Sequence, residues 1–488
     1  VVPFGLVQLS PDTDTIQYSY GKGYNPEVYK YCSGYQYSDN TIVGFSHTHF
    51  NGTGHSDLGD ILLMPTIGNI KLNPGTKENP DSGYRSRFKH ENETAKPGYY
   101  SVYLDDYNIK VELTATERVG FHKYIFPKTK DAHIILDLTS GIYNYDGKVI
   151  WSFIRVENKT LITGYRQTNG WARTRYIYFA IEFSQPVESY QLKNEEQFIY
   201  NGFWRKFNQN ENFPERAGHK IKSVFNFNTE AKNEVLVKVA LSGVSIKNAI
   251  ENLNVEIPHW NFDKIVNQAK EKWNNELSKI IIETSEERKI NFYTSMYHAF
   301  INPNIFSDVN GEYRGLDQNI YKSKDFVNYT TFSLWDTYRA LHPLYTLIQK
   351  KRTSDIINSM LAHYEQSVHK ILPVWSHWAN ENWCMIGYHA VPVIADAIMK
   401  NIKGFDYQKA FNACLASSNY DLYDGIGYYK KFGYVPEDLN SNSASKTLEY
   451  SYDDWTIYSI AKKFNKNNIK NKRFKKIKIT KPLKDSVI

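Results

Sequence analysis

Hydrophobic and polar positions alternate along much of the first half of the chain. In KVELTATERV, the apolar residues Val111, Leu113 and Ala115 alternate with polar ones, the pattern of a strand with one buried face. Three further segments are similar: HIILDLTS, RYIYFAIEF and NEVLVKVALSGVS. Turn-forming pairs such as Asn169-Gly170 fall between them. Many strands with few helical patterns predict an antiparallel β-sandwich, which we assign to residues 1–258.

The spacing of apolar positions changes near residue 261. From there, Phe262, Ile265, Val266 and Ala269 recur three or four residues apart, which predicts an amphipathic helix. Further helices are predicted at 287–301, 334–349, 353–368, 384–401 and 406–417. We assign 259–286 to a helical linker and 287–461 to a helical domain. A sandwich followed by helical hairpins is compatible with an (α/α)₆ barrel, although periodicity does not count the helices of a ring.

Charge separates the last residues from the rest. Residues 462–488 hold ten lysines and one arginine against the single acid Asp485, a net charge of +10. Because the whole chain carries +7, the remainder carries −3. A basic tail could bind nucleic acid. This one lacks helical amphipathicity, so we predict a disordered or out-of-frame end and no nucleic-acid partner.

The remaining composition excludes several classes of protein. A chain of 488 residues exceeds one ordinary core and predicts two large domains. No run approaches ~18 consecutive apolar residues, so no membrane span is predicted. Cys32, Cys384 and Cys414 are widely spaced and odd in number, which argues against a disulfide framework or a zinc cluster.

A glycine-rich run from Ile42 to Thr66, IVGFSHTHFNGTGHSDLGDILLMPT, contains the first candidate site. His47 and His49 stand two apart, which on a strand places both imidazoles on one face, and His55 follows. Neutral imidazole binds transition metals and also hydrogen-bonds hydroxyl groups. The alternative is that the pair satisfies backbone groups at the mouth of the loop. We favour a polar, sugar-binding pocket over a metal site. The residues that would bind a metal stay unknown.

A second candidate site is the segment LWDTYRALHPL, with Trp335, Asp336 and Arg339. An indole beside a carboxylate can hold a sugar, because the ring stacks on the C–H face while the acid accepts hydroxyl hydrogen bonds. Asp336 and Arg339 also stand three apart on one helix face, so they could simply pair with each other.

Two more segments place acids beside aromatic residues. In NENWCMIGYHAVPVIADA, Glu381 lies two residues before Trp383, ahead of a predicted helix in which His389 is expected to be a satisfied core histidine. In SKTLEYSYDDW, Glu449 and Asp453 stand four apart on one helix face. A carboxylate pair with separated pKa values is what acid–base hydrolysis uses, but acids on a solvated helix face are the commoner case.

These segments resemble the signature segments of family 92 of the glycoside hydrolases, the calcium-dependent exo-α-mannosidases. Three further segments share the resemblance: PFGLVQLSPDT, FSDVNGEYRG and GYVPEDLN. The resemblance runs from Val1 to about Ala461 and implies a chain truncated at both ends. It implies an α+β multidomain fold, an N-terminal antiparallel β-sandwich followed by an incomplete (α/α)₆ barrel.

The resemblance also implies an activity. The family releases α-linked mannose from the non-reducing ends of glycans with inversion, and Ca²⁺ holds two sugar hydroxyls. Mannose-binding positions of the family match Trp335, Asp336, Glu381 and Trp383, and less closely Arg339. Two departures, Asn382 for threonine and Phe50-Asn51 for Leu-Ser, are expected to be tolerated.

The catalytic residues implied by the resemblance find no counterpart in these 488 residues. The family's acid glutamate and base aspartates, with nearby calcium ligands, follow in segments expected C-terminal to Ile488. We therefore expect a fragment without mannosidase activity of its own, and the alternative is a non-catalytic mannoside-binding protein. The substrate class further implies an extracytoplasmic, periplasmic or secreted, location, although these residues include no signal peptide.

Overall fold

The computed structural model describes residues 1–14, 16–17, 30–51, 57–195 and 213–465. The chain divides into two compact units, one from Val1 to Tyr313 and one from Arg314 onward. His55 and most of the basic tail lie outside the described residues. The domain boundaries predicted at 258, 286 and 461 remain predictions.

The strands of the first unit are short and numerous. In chain order they are β1 (Ser10–Asp12), β2 (Ile16–Gln17), β3 (Thr41–Ile42), β4 (Gly44–Ser46), β5 (Leu62–Ile67), β6 (Ser86–Arg87), β7 (Thr94–Lys96), β8 (Tyr99–Leu104), β9 (Ile109–Ala115), β10 (Val119–Ile125), β11 (Ala132–Asp137), β12 (Tyr143–Asn144), β13 (Val149–Val156), β14 (Leu161–Thr168), β15 (Arg175–Phe183), β16 (Ser189–Asn194), β17 (Glu215–Gly218), β18 (Ile221–Phe227), β19 (Glu234–Ser242) and β20 (Asn304–Ile305).

Most of these strands belong to two antiparallel sheets. The smaller has the order β1-β4-β5-β11-β18-β16, and the larger β17-β13-β14-β15-β19-β10-β9-β8-β7. Ring contacts join one sheet to the other: Phe183 of β15 lies 5.4 Å from Phe225 and 5.2 Å from Phe227 of β18, measured between ring centroids. All three rings are buried, so the space between the sheets is an apolar core.

Three helices complete the first unit, α1 (Ile246–Glu256), α2 (Phe262–Leu277) and α3 (Glu286–Ala299). Ser245 and Asn261 cap α1 and α2 by accepting a hydrogen bond from a backbone N–H of the first turn. Leu253 of α1 and Ile265 of α2 pack in one buried cluster with Phe121 of β10 and Ala240 of β19. The two helices therefore cover part of the larger sheet.

The second unit is mainly helical. Its helices are α4 (Leu334–Thr337), α5 (Leu341–Ile348), α6 (Lys350–Gln366), α7 (Ala390–Met399), α8 (Tyr407–Asn419), α9 (Ile426–Phe432) and α10 (Ser443–Lys463). Short strands lie between or beside them: β21 (Glu312–Arg314, starting in the first unit), β22 (Ile320–Lys322), β23 (Tyr329–Thr330), β24 (Phe332–Ser333), β25 (Trp375–His377) and β26 (Asn380–Glu381). A β-rich domain followed by a helical domain is the predicted fold class, which is thus confirmed.

One predicted helix is interrupted and another begins later than predicted, for the same physical reason. The helix predicted at 334–349 is divided into α4 and α5, and the helix predicted at 384–401 begins only at Ala390. Pro343 and Pro392 each stand third in the helix that does form. Proline lacks an N–H and is accommodated in the first turn, where that N–H has no intrahelical partner. Both helices therefore begin just before their proline.

Other predictions agree closely with the structure. The strand predicted at 175–183 is β15 itself, the other three overlap β9, β11 and β19 with ends that differ by at most four residues, and the helix at 262 is α2. Helices α1 and α9 were not predicted, and α10 was expected only as the helix face of Glu449 and Asp453, without bounds. Among the described residues, no helix combines the length and apolar character needed to cross a membrane.

Candidate functional site

Trp335 and Asp336 lie on the single turn of α4, directly after strand β24. The indole of Trp335 is half-buried, and its Nε1 has no hydrogen-bond partner among the described residues. Asp336 is exposed and accepts a hydrogen bond from the hydroxyl of Ser333, the residue before the helix. The structure thus places a half-buried indole, whose Nε1 is itself buried, beside an accessible carboxylate. Their role as a sugar-binding pair stays a prediction.

Arg339 does not pair with Asp336. Its Nη2 donates to Oε1 of Glu449 at 3.0 Å, and its guanidinium lies over the rings of Trp335 and Tyr338, 5.2 and 4.8 Å from their centroids. The interruption between α4 and α5 turns Arg339 towards α10 instead of leaving it on the helix face of Asp336. Arg339 therefore contacts the Trp335 ring, but its charge is already paired with Glu449.

Glu449 is the centre of a polar cluster between α7 and α10. Its Oε2 accepts a hydrogen bond from the Tyr338 hydroxyl at 3.1 Å and lies 3.3 Å from Nε2 of His389. His389 is buried, stacks on Tyr338 and makes a 2.8 Å contact from Nδ1 to Asp453. Burial raises the pKa of Asp453, and the contact with His389 partly opposes this rise. Burial, together with the charge of Glu449, raises the pKa of Tyr338 to about 12.

The acids of SKTLEYSYDDW do not lie on a solvated helix face, which corrects that reading of the sequence. Asp453 is fully buried and accepts a second hydrogen bond from the backbone N–H of Tyr388. Asp454 is buried and accepts from the Tyr388 hydroxyl at 2.9 Å. Helix α10 packs on α7 and α8, and these acids satisfy the polar groups buried there.

Glu381 and Trp383 belong to a hairpin and the loop that follows it. The two oxygens of Glu381 accept hydrogen bonds from the backbone N–H groups of Val374, Trp375 and Trp383, at 3.0, 2.7 and 3.0 Å. The side chain is 3% exposed, and burial raises its pKa to about 7 against the effect of these donors. Trp383 is half-buried, with its ring against Tyr423 at 5.4 Å.

One small sheet connects the two predicted sugar-binding segments of the second unit. Ser333 of β24 lies opposite Trp375 of β25, and Ser376 of β25 lies opposite Glu381 of β26. This pairing brings the start of α4, which carries Asp336, near Glu381, 45 residues further along the sequence. Burial raises the pKa of the Cys384 thiol, and the charges of Asp336 and Glu381 raise it further.

The histidines of the first unit occupy different environments, which corrects the predicted one-faced pair. Strand β4 ends at Ser46, so alternation along a strand does not reach His47 and His49. His49 contacts Asp12 at 2.8 Å, and although burial opposes its charged form, Asp12 raises its pKa. His47 is completely buried, and its Nε2 lies 2.9 Å from Nε2 of His122.

The environment of His47 fixes its protonation state. Its Nδ1 donates to the carbonyl of Ile61 at 2.6 Å, so Nε2 accepts from His122, whose Nδ1 in turn accepts from the Tyr124 hydroxyl. Burial lowers the pKa of His47 to about 3 and that of His122 well below its ordinary value. Both rings are neutral members of a buried hydrogen-bond chain, and His47 reaches no open surface.

A buried charge network in the first unit was not predicted. Asp60 pairs with Arg166 and Arg175, and Asp57 contacts Lys148 at 3.1 Å and Arg175 at 3.8 Å. All five side chains are at most 3% exposed. The only sequence signal was the pair of aspartates in the glycine-rich run, since the cations come from residues about 90 to 115 positions further on.

The described residues do not supply a metal site by themselves. Within the described ranges, no group of three or more His, Cys, Asp or Glu side chains is arranged to hold a metal ion. Ca²⁺ prefers six to eight oxygen ligands, mostly carboxylates and carbonyls. Since Glu381, Glu449 and Asp453 are already engaged by protein donors, they do not fit such a cage.

Comparison with known proteins places this chain among glycoside hydrolases. Residues 1–242 match the glycosyl hydrolase family 92 N-terminal domain, and residues 248–477 match the family 92 catalytic domain. Together the two matches account for nearly the whole chain. The chain belongs to glycosyl hydrolase family 92.

Solved structures agree with this assignment. The family 92 α-mannosidase BT3965 of Bacteroides thetaiotaomicron is 43% identical over 96% of this chain and 61% of its own, with a TM-score of 0.89. The inverting family 92 mannosidase BT2199 of the same organism is 28% identical over 97% and 60%, with a TM-score of 0.81. A curated relative from Arthroderma benhamiae, an uncharacterized secreted glycosidase, is 23% identical over 96% and 58%. The chain spans about three fifths of the length of these relatives.

Proposed function

We propose that this chain is the sugar-recognising part of an exo-α-mannosidase, which releases terminal α-linked mannose from glycans with inversion. The observation that carries the proposal is the half-buried indole of Trp335 directly beside the accessible carboxylate of Asp336. Solved relatives support it: BT3965 is an α-mannosidase that was crystallised with mannoimidazole, and BT2199 is an inverting mannosidase.

The proposed binding mode follows from the chemistry of the two side chains. An indole offers a flat apolar surface to the C–H face of a pyranose. An ionised carboxylate accepts two hydroxyl hydrogen bonds, and such charge-assisted bonds are roughly twice as strong as neutral ones. Asp336 can do this because its only described side-chain partner is the Ser333 hydroxyl, which leaves acceptor capacity free.

We assign neither the catalytic acid nor the base to the described carboxylates of this site. Inverting hydrolysis needs one carboxyl group at the glycosidic oxygen and another at a water, roughly 6.5–9.5 Å apart. Asp453 is fully buried and Glu449 is held by Tyr338 and Arg339. We propose that the catalytic pair, and the calcium ligands of the family, lie outside the described residues.

Two measurements on the purified chain test the proposal. Calorimetric titration with methyl α-mannopyranoside is expected to show binding, with methyl α-glucopyranoside as the control sugar. Asp336→Asn is expected to weaken binding at least roughly tenfold, because a charge-assisted hydrogen bond is worth about 1.5–3 kcal/mol. The exposed Asp325→Asn is the matched control and should bind like the parent chain.

The second measurement separates a hydrolase from a binding protein. Release of 4-nitrophenol from its α-mannoside, abolished by EDTA and restored by Ca²⁺, would show the calcium-dependent enzyme, and NMR of the first product anomer would report inversion. Binding without release would favour the non-catalytic alternative, which the engaged state of Glu449 and Asp453 supports. Absence of mannoside binding would overturn the proposal for this chain. An extracytoplasmic location is also proposed, supported by the secreted Arthroderma relative.

A further inference from the structure

We propose that Glu381 is a positioning residue, whose carboxylate holds the loop that presents Trp383 instead of binding the sugar itself. The proposal rests on the proposed function in one respect, namely that Trp383 contacts a mannoside. It departs from the expectation raised by the sequence, in which Glu381 was itself a sugar-binding residue.

The carboxylate joins three points of one hairpin. Oε1 accepts from the N–H groups of Trp375, on strand β25, and Trp383, just after strand β26. Oε2 accepts from the N–H of Val374. One side chain therefore fixes the entrance of the hairpin and its exit at the same time, and both of its oxygens are occupied.

This loop needs such an anchor because its backbone is strained. Trp378, Ala379, Trp383 and Met385 have positive φ angles of 46°, 58°, 51° and 69°. Residues with a Cβ adopt this region at a conformational cost, and the strain persists only where the surroundings hold it. Trp383 itself is one of the strained residues, and its N–H is one of the three that Glu381 accepts.

The anchored loop determines where the Trp383 ring lies. The ring packs edge-on against His369, with centroids 5.8 Å apart, and against Tyr423 at 5.4 Å. Trp383 is half-buried, whereas the Glu381 side chain is 3% exposed. In this geometry the indole is accessible to a ligand and the carboxylate is not, so a contribution of Glu381 to binding acts through Trp383.

The groups around Glu381 make its hydrogen bonds to the loop depend on pH. The groups that face it are His363 of α6, whose Nε2 lies 3.4 Å from Oε2, and the side chains of Cys384 and Tyr423. Burial raises the pKa of Glu381 to about 7 and lowers that of His363 to about 3. The imidazole is thus neutral, and its Nε2 has no hydrogen-bond partner among the described residues.

Protonation would redistribute these hydrogen bonds. Below about pH 7 the carboxyl group gains an O–H donor, and the unpartnered Nε2 of His363 is an acceptor for it. The neutral carboxyl group is a weaker acceptor for the three backbone N–H groups than the carboxylate. The hold on Trp383 is therefore expected to be firm above neutral pH and looser below it.

Fluorine NMR of the full chain labelled with 5-fluorotryptophan tests the inference. The chain has ten tryptophans, and Trp383→Phe assigns the resonance of interest. In the parent chain this resonance is expected to shift with a midpoint near pH 7. Glu381→Gln keeps the shape of the side chain but turns an N–H₂ towards backbone donors, so it should displace the resonance and abolish its titration. Glu365→Gln, at an exposed position on α6, is the matched control.

The outcomes separate this inference from the proposed function. Methyl α-mannopyranoside should bind roughly tenfold more weakly to Glu381→Gln, because a displaced indole loses its packing against the sugar, an effect of about the size of one aromatic contact. If the parent chain binds no mannoside, the proposed function fails, yet the Trp383 resonance still reports on the anchor. An unmoved resonance in Glu381→Gln would overturn the inference, whether or not sugar binding changes. The titration of the parent chain needs no variant, so a folding defect in Glu381→Gln would leave that test intact. A Trp383 resonance that does not titrate in the parent chain would likewise overturn the inference.

Discussion

The buried charge network of the first unit offers a sharp test of how this sandwich is stabilised. Asp60 accepts hydrogen bonds from Arg166 at 3.0 Å, from Arg175 and from the Thr48 hydroxyl at 2.6 Å. Burial opposes ionisation of Asp60, but Arg175 and Arg166 outweigh it and hold its pKa below the ordinary value. Asp60→Asn removes the charge and preserves the shape of the side chain.

The magnitude follows from the charges that would remain. Without Asp60, Lys148, Arg166 and Arg175 would be left with the carboxylate of Asp57 and the charge of Asp137, which acts on Arg166. Removal of one partner from a buried ion pair costs about 3–5 kcal/mol, because the other charge stays desolvated and uncompensated. We expect the upper part of this range, since two guanidinium groups lose their shared acceptor together. The melting temperature of the first unit should fall by on the order of 10 °C.

Denaturant unfolding and hydrogen exchange measure this effect. The free energy of unfolding is taken from the transition of the first unit, and amide exchange in β14 and β15 should accelerate, since these strands carry Arg166 and Arg175. Asp81→Asn is the matched control: Asp81 pairs with Arg87, with side chains 74% and 42% exposed, and such a pair contributes at most about 1 kcal/mol. An Asp60→Asn variant no less stable than Asp81→Asn would refute this reasoning.

Two further predictions concern the same unit. His47 has a pKa of about 3 in the folded chain, so between pH 6.5 and 3 the unfolded chain binds more protons than the folded chain does. The free energy of unfolding should therefore decrease as the pH falls through this range, by up to about 1.4 kcal/mol per pH unit. Unfolding midpoints at pH 7 and 5 measure this slope, which His47→Gln should flatten; an equal slope in the variant would count against it. Phe183→Ala should cost about 3–5 kcal/mol by opening a cavity between the sheets, as measured by chemical unfolding. The exposed Phe213→Ala is its control, and equal losses would contradict the proposed core.

The sequence predicted most where local pattern and burial agree. Strand β15 carries buried and less buried residues in alternation, and helix α2 carries its buried residues three and four apart, so both were recognised. Helix α10 was recognised only at Glu449 and Asp453 and given no bounds, because its buried face contains acids and a lysine among apolar residues. Its buried acids are satisfied by Tyr388 and His389, which directly precede α7, and no local pattern reveals this.

The candidate site was found as separate segments and not as an arrangement. Indoles beside carboxylates marked Trp335, Asp336, Glu381 and Trp383 as a group to examine. The sequence did not indicate that backbone N–H groups would occupy both carboxylate oxygens of Glu381. Nor did it show that Arg339 would pair with Glu449, 110 positions away. Spacing along a helix had suggested Asp336 instead, and the interruption before α5 removed that possibility.

The sequence by itself determined the family, the order of a β-rich and a helical domain, and the segments that carry the candidate chemistry. These depend on residue types and on periodicities of two and 3.6, which are local properties of a chain. Only the tertiary structure decided which carboxylates are free. Burial removes water from Asp453 and Asp60, and donors that are distant in sequence but adjacent in space replace it. The donors to Glu381 come from its own hairpin, and the folding of that hairpin brings them to the carboxylate.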